Sequence, residues 1–277
     1  MDPLSAALAV AAQLGVDASG AVVLRELRTA VVHLRPSAVV ARVAPASEED
    51  VVRRQVAVTA YLAGQGAPVA APWRDPGPHA AGGWVVTLWE HADHEVGRPH
   101  DGFAAGRALR DVHEALAGFD PGGLPVFPRL DEVRRILATL DPSPEDSRDL
   151  AEMLDRAVVA AQRIDSPVQV VHGDAWLGNV LRTPGGPLWN DFELTCVGPR
   201  ELDLTCNETS ARDRGRSPED DAFLVGYGDH DVGLRERLAA LELTLLTAWT
   251  YRLATTQPAF LKLARRRLTW ALEGLRA

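Results

Sequence analysis

The stretch VVHGDAWLGNVL, residues 170–181, sets His172, Asp174 and Asn179 between apolar, strand-like flanks. A turn at Pro184-Gly185-Gly186-Pro187 follows, and then a second short strand running into Asp191, Phe192 and Glu193. A hairpin over this segment predicts that Asp174, Asn179 and Asp191 gather at one end of a small sheet. Two oxygen donors and a further carboxylate free of metal are what phosphoryl transfer requires. Magnesium is a hard cation, usually held by one or two carboxylates or amides together with the phosphates of a nucleotide. A separate carboxylate must then orient the acceptor hydroxyl and take its proton. On this reading Asp174 is the catalytic base, and Asn179 and Asp191 are the Mg2+ ligands. A His-Gly-Asp alone is usually no more than a polar turn. The whole order of strand, His-x-Asp, Asn five residues on, turn, strand and Asp-Phe-Glu is rarely assembled by chance.

The flanking sequence predicts the elements that must position these groups. An apolar opening, MDPLSAALAVAAQLGV, reads as an N-terminal helix within residues 1–19. β-Branched alternation over residues 21–45, broken at Arg28-Thr29 and Pro36-Ser37, predicts consecutive antiparallel strands. Ser47 and Asp50 stand in capping-box spacing ahead of an apolar face of Val51, Val58 and Leu62, which predicts a helix within residues 47–66 that ends at glycine. APVAAPW (67–73) and GGWVVTLWE (82–90) read as two more strands around the turn-rich RDPGPHAAGG. From about residue 100 the period becomes helical, with Ala105, Leu109, Val112 and Leu116 on one face. A second helix starts at Ser143 as N-cap, with Pro144 at the first position and acids in the first turn. Leu234, Leu238, Leu241 and Leu245 mark another, and Arg265-Arg266-Arg267 reads as a solvated face of the last helix.

Composition narrows the classes. At 277 residues and 46% hydrophobic, the chain suffices for two cores. A net charge of −9 argues against non-specific nucleic-acid binding, which draws on Lys and Arg neutralising phosphates. The opening segment lacks a basic residue before Arg25, so it does not read as a signal peptide, and no apolar run reaches membrane-spanning length. A cytoplasmic protein is expected, with no protein partner implied. Cys196 and Cys206 are too few for a disulfide framework and read as core residues. Lys262 is the lone lysine among 29 basic residues.

VVHGDAWLGNVL, NDFE and VGPRELDL resemble the aminoglycoside phosphotransferase and choline kinase family, whose fold is similar to that of protein kinases. The resemblance covers most of the chain. It implies an α+β, bilobal protein-kinase-like fold: a small antiparallel-sheet N-lobe with one packed helix, residues 1–90, and a mainly helical C-lobe, residues 91–277. The catalytic loop is then 170–182 and the metal-binding segment 188–194. The implied activity is transfer of the γ-phosphate of ATP or GTP, with Mg2+, to a hydroxyl of a small molecule such as an aminoglycoside, a sugar or an amino alcohol. By the same match Asp174 is the base, Asn179 and Asp191 take the magnesium positions, and His172 braces the loop. Asp203 supports it from the helical side, and Arg200 is a second candidate for bracing.

The sequence departs from the pattern in three places. Kinase-like folds use a strand lysine on the phosphates, paired with a helix glutamate; here VVARV puts Arg42 in that place, and Gln55 stands where the glutamate is expected. Arg42 can still donate paired hydrogen bonds to phosphate, and Gln55 can bond the guanidinium without charge. No G-x-G-x-x-G lies between the first two strands, so backbone N–H groups around Arg28 to Ala30 are left to cover the phosphates. The strand WVVTLWE leads toward main chain at Leu88, Trp89 and Glu90, expected to meet adenine. Glu208, Asp213, Asp220, Asp221 and Asp229 would suit a cationic acceptor or simply charge the surface. Two other readings compete: a nucleotide-binding pseudo-kinase, motivated by Arg42 and Gln55, and a hydrolase using His172, which has no second histidine at ligand spacing.

Overall fold

Alternation of β-branched residues decides the first half of the molecule. In this computed structural model, which describes residues 1–26, 29–95 and 97–276, helix α1 (Pro3–Gln13) is shorter than the opening apolar run. Asp2 caps it, accepting from the Ser5 N–H at 2.9 Å. Strands β1 (Val22–Glu26), β2 (Ala30–His33) and β3 (Val39–Pro45) then pair antiparallel in succession, with breaks where the sequence places its turns. Helix α2 (Glu49–Gly64) follows. The capping box is a correction: a 3-10 turn over Ala46–Glu48 intervenes, Glu48 is the N-cap, and no side chain caps it.

The next correction concerns the edge of the sheet. Residues 67–73 make only isolated bridges, because Pro68 and Pro72 cannot donate to a ladder. The edge strand is instead β4 (His79–Ala81), within the segment that reads as turn, paired with β5 (Trp84–Glu90). The sheet order is β1-β2-β3-β5-β4. Period-two alternation along β3 sends Val39, Ala41 and Val43 into a cluster with α1, Val86 and Leu88. The opposite parity carries Val40 and Arg42.

Helix α3 (Gly102–Leu116) starts at the Asp101 cap, and its face of Ala105, Leu109, Val112 and Leu116 is buried as its period predicts. After α4 (Leu130–Leu137), α5 (Pro144–Ala161) begins at Ser143, whose hydroxyl accepts from the Asp146 N–H at 3.2 Å. Strands β6 (Gln169–Val171) and β9 (Cys196–Gly198) pair antiparallel, and between them lies the hairpin of β7 (Val180–Thr183) and β8 (Gly186–Trp189). Helices α6 (Glu201–Arg214), α7 (Pro218–Tyr227), α8 (Val232–Ala254) and α9 (Leu261–Gly274) complete the chain. Among the described residues no helix is long and apolar enough to cross a membrane.

The elements fall into two compact units, each discontinuous in sequence. The first comprises 1–119, 177–194 and 221–227; the second comprises 120–176, 195–220 and 228–277. In the first, the sheet carries α1 on one face, and the β7–β8 hairpin joins through Trp189, whose carbonyl accepts from the Ala70 N–H at 2.9 Å. Gly106 of α3 lies so close to residues 223–227 that a Cβ there would fall 2.0 Å from the Phe223 carbonyl oxygen. In the second, α8 is the central helix, with Leu234, Leu238, Leu241 and Leu245 all buried. The arginine triplet of α9 is a further correction. Arg265 bonds Asp146 (2.9 Å), while Arg266 (3.2 Å) and Arg267 both bond Asp213, so the face is ion-paired rather than merely solvated.

Candidate active site

The hairpin fixes two of the candidate ligands. Val180 pairs with Trp189, so Asn179 and Asn190 face each other at its open end; the Asn179 carbonyl accepts from both the Asn190 N–H (3.0 Å) and Nδ2 (2.9 Å). Asp191 follows directly in the left-handed region, φ 67°, which Asp and Asn tolerate better than other side-chain-bearing residues. Its carboxylate Oδ1 accepts from Arg42 Nη1 at 3.0 Å. Arg42 Nη2 donates to Glu193 Oε1 in the 3-10 turn Phe192–Leu194. Burial disfavours the Arg42 cation, but the two carboxylates outweigh it and hold its pKa above the ordinary arginine value.

Arg42, Asn179 and Asp191 line one cavity of about 330 Å³ in the first unit, together with Gln55, Thr59, Trp89 and Glu90. Two buried polar atoms there, Arg42 Nε and Gln55 Oε1, have no hydrogen-bond partner among the described residues. The expected bond from the guanidinium to Gln55 Oε1 is therefore not made; carboxylates outcompete a neutral amide for a buried cation. Leu88 is also a correction. Parity turns its side chain to the α1 face, and its main-chain N–H and C=O are already bonded to Pro76 and Trp73, both at 3.0 Å. Of the three residues expected at adenine, Trp89 and Glu90 line the cavity, although the Glu90 N–H is already bonded to Ala71 O (3.0 Å). Arg25 of β1 lines the same cavity, whereas Arg28, in the segment expected to cover the phosphates, lies outside the described residues.

One carboxylate and one amide, both hard oxygen donors, with room for phosphate oxygens to complete the shell, suit Mg2+ better than a thiolate-preferring metal. Asn179 and Asp191 are the residues that fit it.

Asp174 belongs to the second unit, as do its supports. β6 ends at Val171, and Gly173 takes φ 81°, a conformation that a Cβ would strain. Asp203, fully buried in α6, accepts from the His172 N–H (2.8 Å) and the Gly173 N–H (2.7 Å), one with each carboxylate oxygen. His172 Nδ1 accepts from the Asp174 N–H at 3.3 Å. The loop that presents Asp174 is thus tied by its own backbone to a buried carboxylate. Arg200 bonds Glu201 (3.4 Å) and the Asp229 carbonyl (3.1 Å), tying the start of α6 to the turn before α8.

Several acidic residues read as acceptor-facing are matched by arginine. Glu208 pairs with Arg235 (3.0 Å), Asp213 with Arg266 and Arg267, and Asp220 with Arg214 (2.5 Å) while also capping α7 through Ser217. Glu242 on α8 is different. Burial pushes its carboxyl up to about 8, aided by the charges of Asp174 and Asp213, while Thr209 and Arg267 oppose the shift. Both thiols are pushed up chiefly by burial, Cys196 to about 12, which makes them the inert core residues that the sequence suggests.

Sequence reasoning did not single out Glu193 as a partner of Arg42, although it is the last residue of the Asp-Phe-Glu signal. Its role depends on a strand 151 positions away.

Several solved structures share this architecture. An amicoumacin kinase, hAmiN, in complex with AMP-PNP, Ca2+ and Ami superposes with TM-score 0.74 at 13% identity, covering 92% of this chain and 88% of that one. A choline/ethanolamine kinase family protein from Mesorhizobium loti gives 0.70 at 20% identity, covering 99% and 94%. The GDP and kanamycin complex of APH(2")-IIia gives 0.68 at 13% identity, covering 97% and 98%. At these identities the likeness is one of fold, and that fold is protein-kinase-like. Residues 11–241, most of the chain, match the phosphotransferase enzyme family (APH). With Arg42, Asn179 and Asp191 on one cavity and Asp174 on a loop anchored by Asp203, the chain belongs to the phosphotransferase enzyme family.

Proposed function

We propose that the protein transfers the γ-phosphate of ATP or GTP to a hydroxyl of a small molecule, with Mg2+ as cofactor. The observation that carries this reading is the convergence of a buried cation, Arg42, with Asn179 and Asp191 on one cavity that Trp89 and Glu90 of the neighbouring strand also line. Arg42 and Arg25 bind phosphate oxygens, and Trp89 packs against the base. Mg2+, when bound by Asn179 and Asp191, supplies charge neutralisation of the triphosphate. Asp174 orients the acceptor hydroxyl and takes its proton. The hydroxyl oxygen bonds to the γ-phosphorus as the bond to the β,γ-bridging oxygen breaks, and the nucleoside diphosphate leaves with that electron pair. Asp203 and His172 hold Asp174 in place through the backbone. Related structures bound to AMP-PNP and to GDP support either purine as donor. A division of labour between residues 1–90 for nucleotide and the helical remainder for the acceptor belongs to the same proposal, as does a cytoplasmic setting.

One feature favours the pseudo-kinase alternative: Arg42 bonds the same Asp191 that the metal requires. Two measurements separate the readings. Melting curves with MgATP, MgGTP and EDTA should show a metal-dependent rise, since a ligand at 100 times its Kd adds about 2.7 kcal/mol. Asp191→Asn, which keeps the left-handed backbone, should lose it. In a transfer assay over aminoglycosides, sugars and amino alcohols, Asp174→Asn should lower turnover about 10²- to 10⁴-fold while nucleotide affinity stays within a few fold. Nucleotide binding with no transfer to any acceptor would leave the pseudo-kinase standing. Absence of any shift with either nucleotide would overturn both.

A further inference from the structure

Resting on the phosphotransferase reading, we infer that Glu193 is the residue that positions Arg42 for the nucleotide phosphates, the work done by a helix glutamate where the strand cation is lysine. The two Nη atoms of Arg42 are divided between two carboxylates, Asp191 at 3.0 Å and Glu193. These carboxylates are not equivalent. Asp191 is a proposed metal ligand, so its oxygen is wanted elsewhere once MgATP arrives, and the Nη1 it releases turns to a phosphate oxygen. Glu193 is not assigned to the metal, and it keeps the guanidinium plane fixed while its neighbour changes partner.

Gln55 on α2 leaves that work undone. It lines the cavity at the helix position where a glutamate is expected, yet its buried Oε1 has no partner among the described residues. Arg42 Nε, also buried and in the same cavity lining, is an unused donor beside that unused acceptor. An arginine fork can serve two acceptors at once, whereas an ammonium acts as a point charge. Substituting Arg for Lys thus allows the counter-ion to move from the helix to the exit of the hairpin, two residues past Asp191. The 3-10 turn carrying Glu193 leaves this carboxylate 14% exposed, which keeps the pair poorly screened.

Isothermal titration of the full chain with ATP, once with Mg2+ and once with EDTA, tests this on wild type, Glu193→Gln, Gln55→Glu and the double variant. Nucleotide-free melting temperatures serve as the control for folding. Glu193→Gln should weaken ATP about ten- to hundredfold with and without metal, the loss of one charged hydrogen bond. Adding Gln55→Glu should recover most of that affinity by returning a carboxylate to the helix. Unchanged affinity in Glu193→Gln overturns the inference. A loss seen only with Mg2+ also overturns it and makes Glu193 a metal ligand. A loss that follows a lowered melting temperature and is not rescued by Gln55→Glu reduces Glu193 to a structural residue. Wild type that binds no nucleotide removes the phosphotransferase reading itself, and this one with it.

Discussion

Glu242 shows how a single carboxyl can set the pH response of a whole helical unit. Its folded pKa of about 8 lies above the ordinary 4.5, so the native state holds a proton that the unfolded chain releases first. Stability from this group is therefore complete below about pH 4.5 and falls as pH rises to about 8. Glu242→Gln keeps the shape without the charge and should melt higher than wild type at pH 8, by about 1–3 kcal/mol, with little difference at pH 4.5. A difference that is the same at both pH values would mean that Glu242 ionises normally in the fold. At this scale the sequence was partly transparent. Asp174, Asn179 and Asp191 announce themselves because one short segment holds them in a characteristic order. Glu193 does not, because its bond is to Arg42, which is distant in sequence but adjacent in space, and Gln55, expected to bond that guanidinium, does not bond it.

Elements were legible where a period ran long enough to be read. Helices α3 and α8 bury the faces that their spacing predicts, α5 starts at its expected Ser143 cap, and the turn between β2 and β3 falls at Pro36-Ser37. The failures share a cause. β4 is only three residues long, too short for alternation to register, and the proline-containing run before it mimics a strand in composition while lacking the donors to be one. The contact of α3 with the end of α7 was invisible, since glycines at Gly106 and Gly226 say nothing in sequence about what approaches them. A Cβ at Gly226 would fall 2.0 Å from the Phe103 carbonyl oxygen, the counterpart of the clash at Gly106. Gly106→Ala should accordingly cost at least about 2 kcal/mol in chemical denaturation despite alanine's better helix propensity. Gly64→Ala, where nothing lies within 4 Å, is the control and should stabilise by about 0.5–1 kcal/mol. Equal effects at both sites would show that α3 and α7 have slack to separate.

For the whole molecule, reading lobes as consecutive stretches of chain captures the fold class but not the assignment of residues. The 177–194 hairpin clusters with the N-terminal sheet, and that is how Asn179 and Asp191 come to share a cavity with Arg42. Charge is ambiguous in the opposite way: the acids after residue 205 fit either a cationic acceptor or a charged surface, and arginines pair with Glu208, Asp213 and Asp220. Hydrogen exchange should display the discontinuity directly. MgATP is expected to protect 39–45, 84–92 and 177–194 together, and protection confined to residues before 90 would contradict the shared cavity.

The salt bridge from Arg42 to Asp191 spans 149 positions. On a ribosome, the strand bearing Arg42 is therefore made long before either of its counter-charges, and α7, which closes the same unit, emerges later still. Nascent chains halted before residue 191 carry the Arg42 cation with neither of its carboxylate partners, so this cavity is one of the last parts of the first unit to mature rather than one of the first.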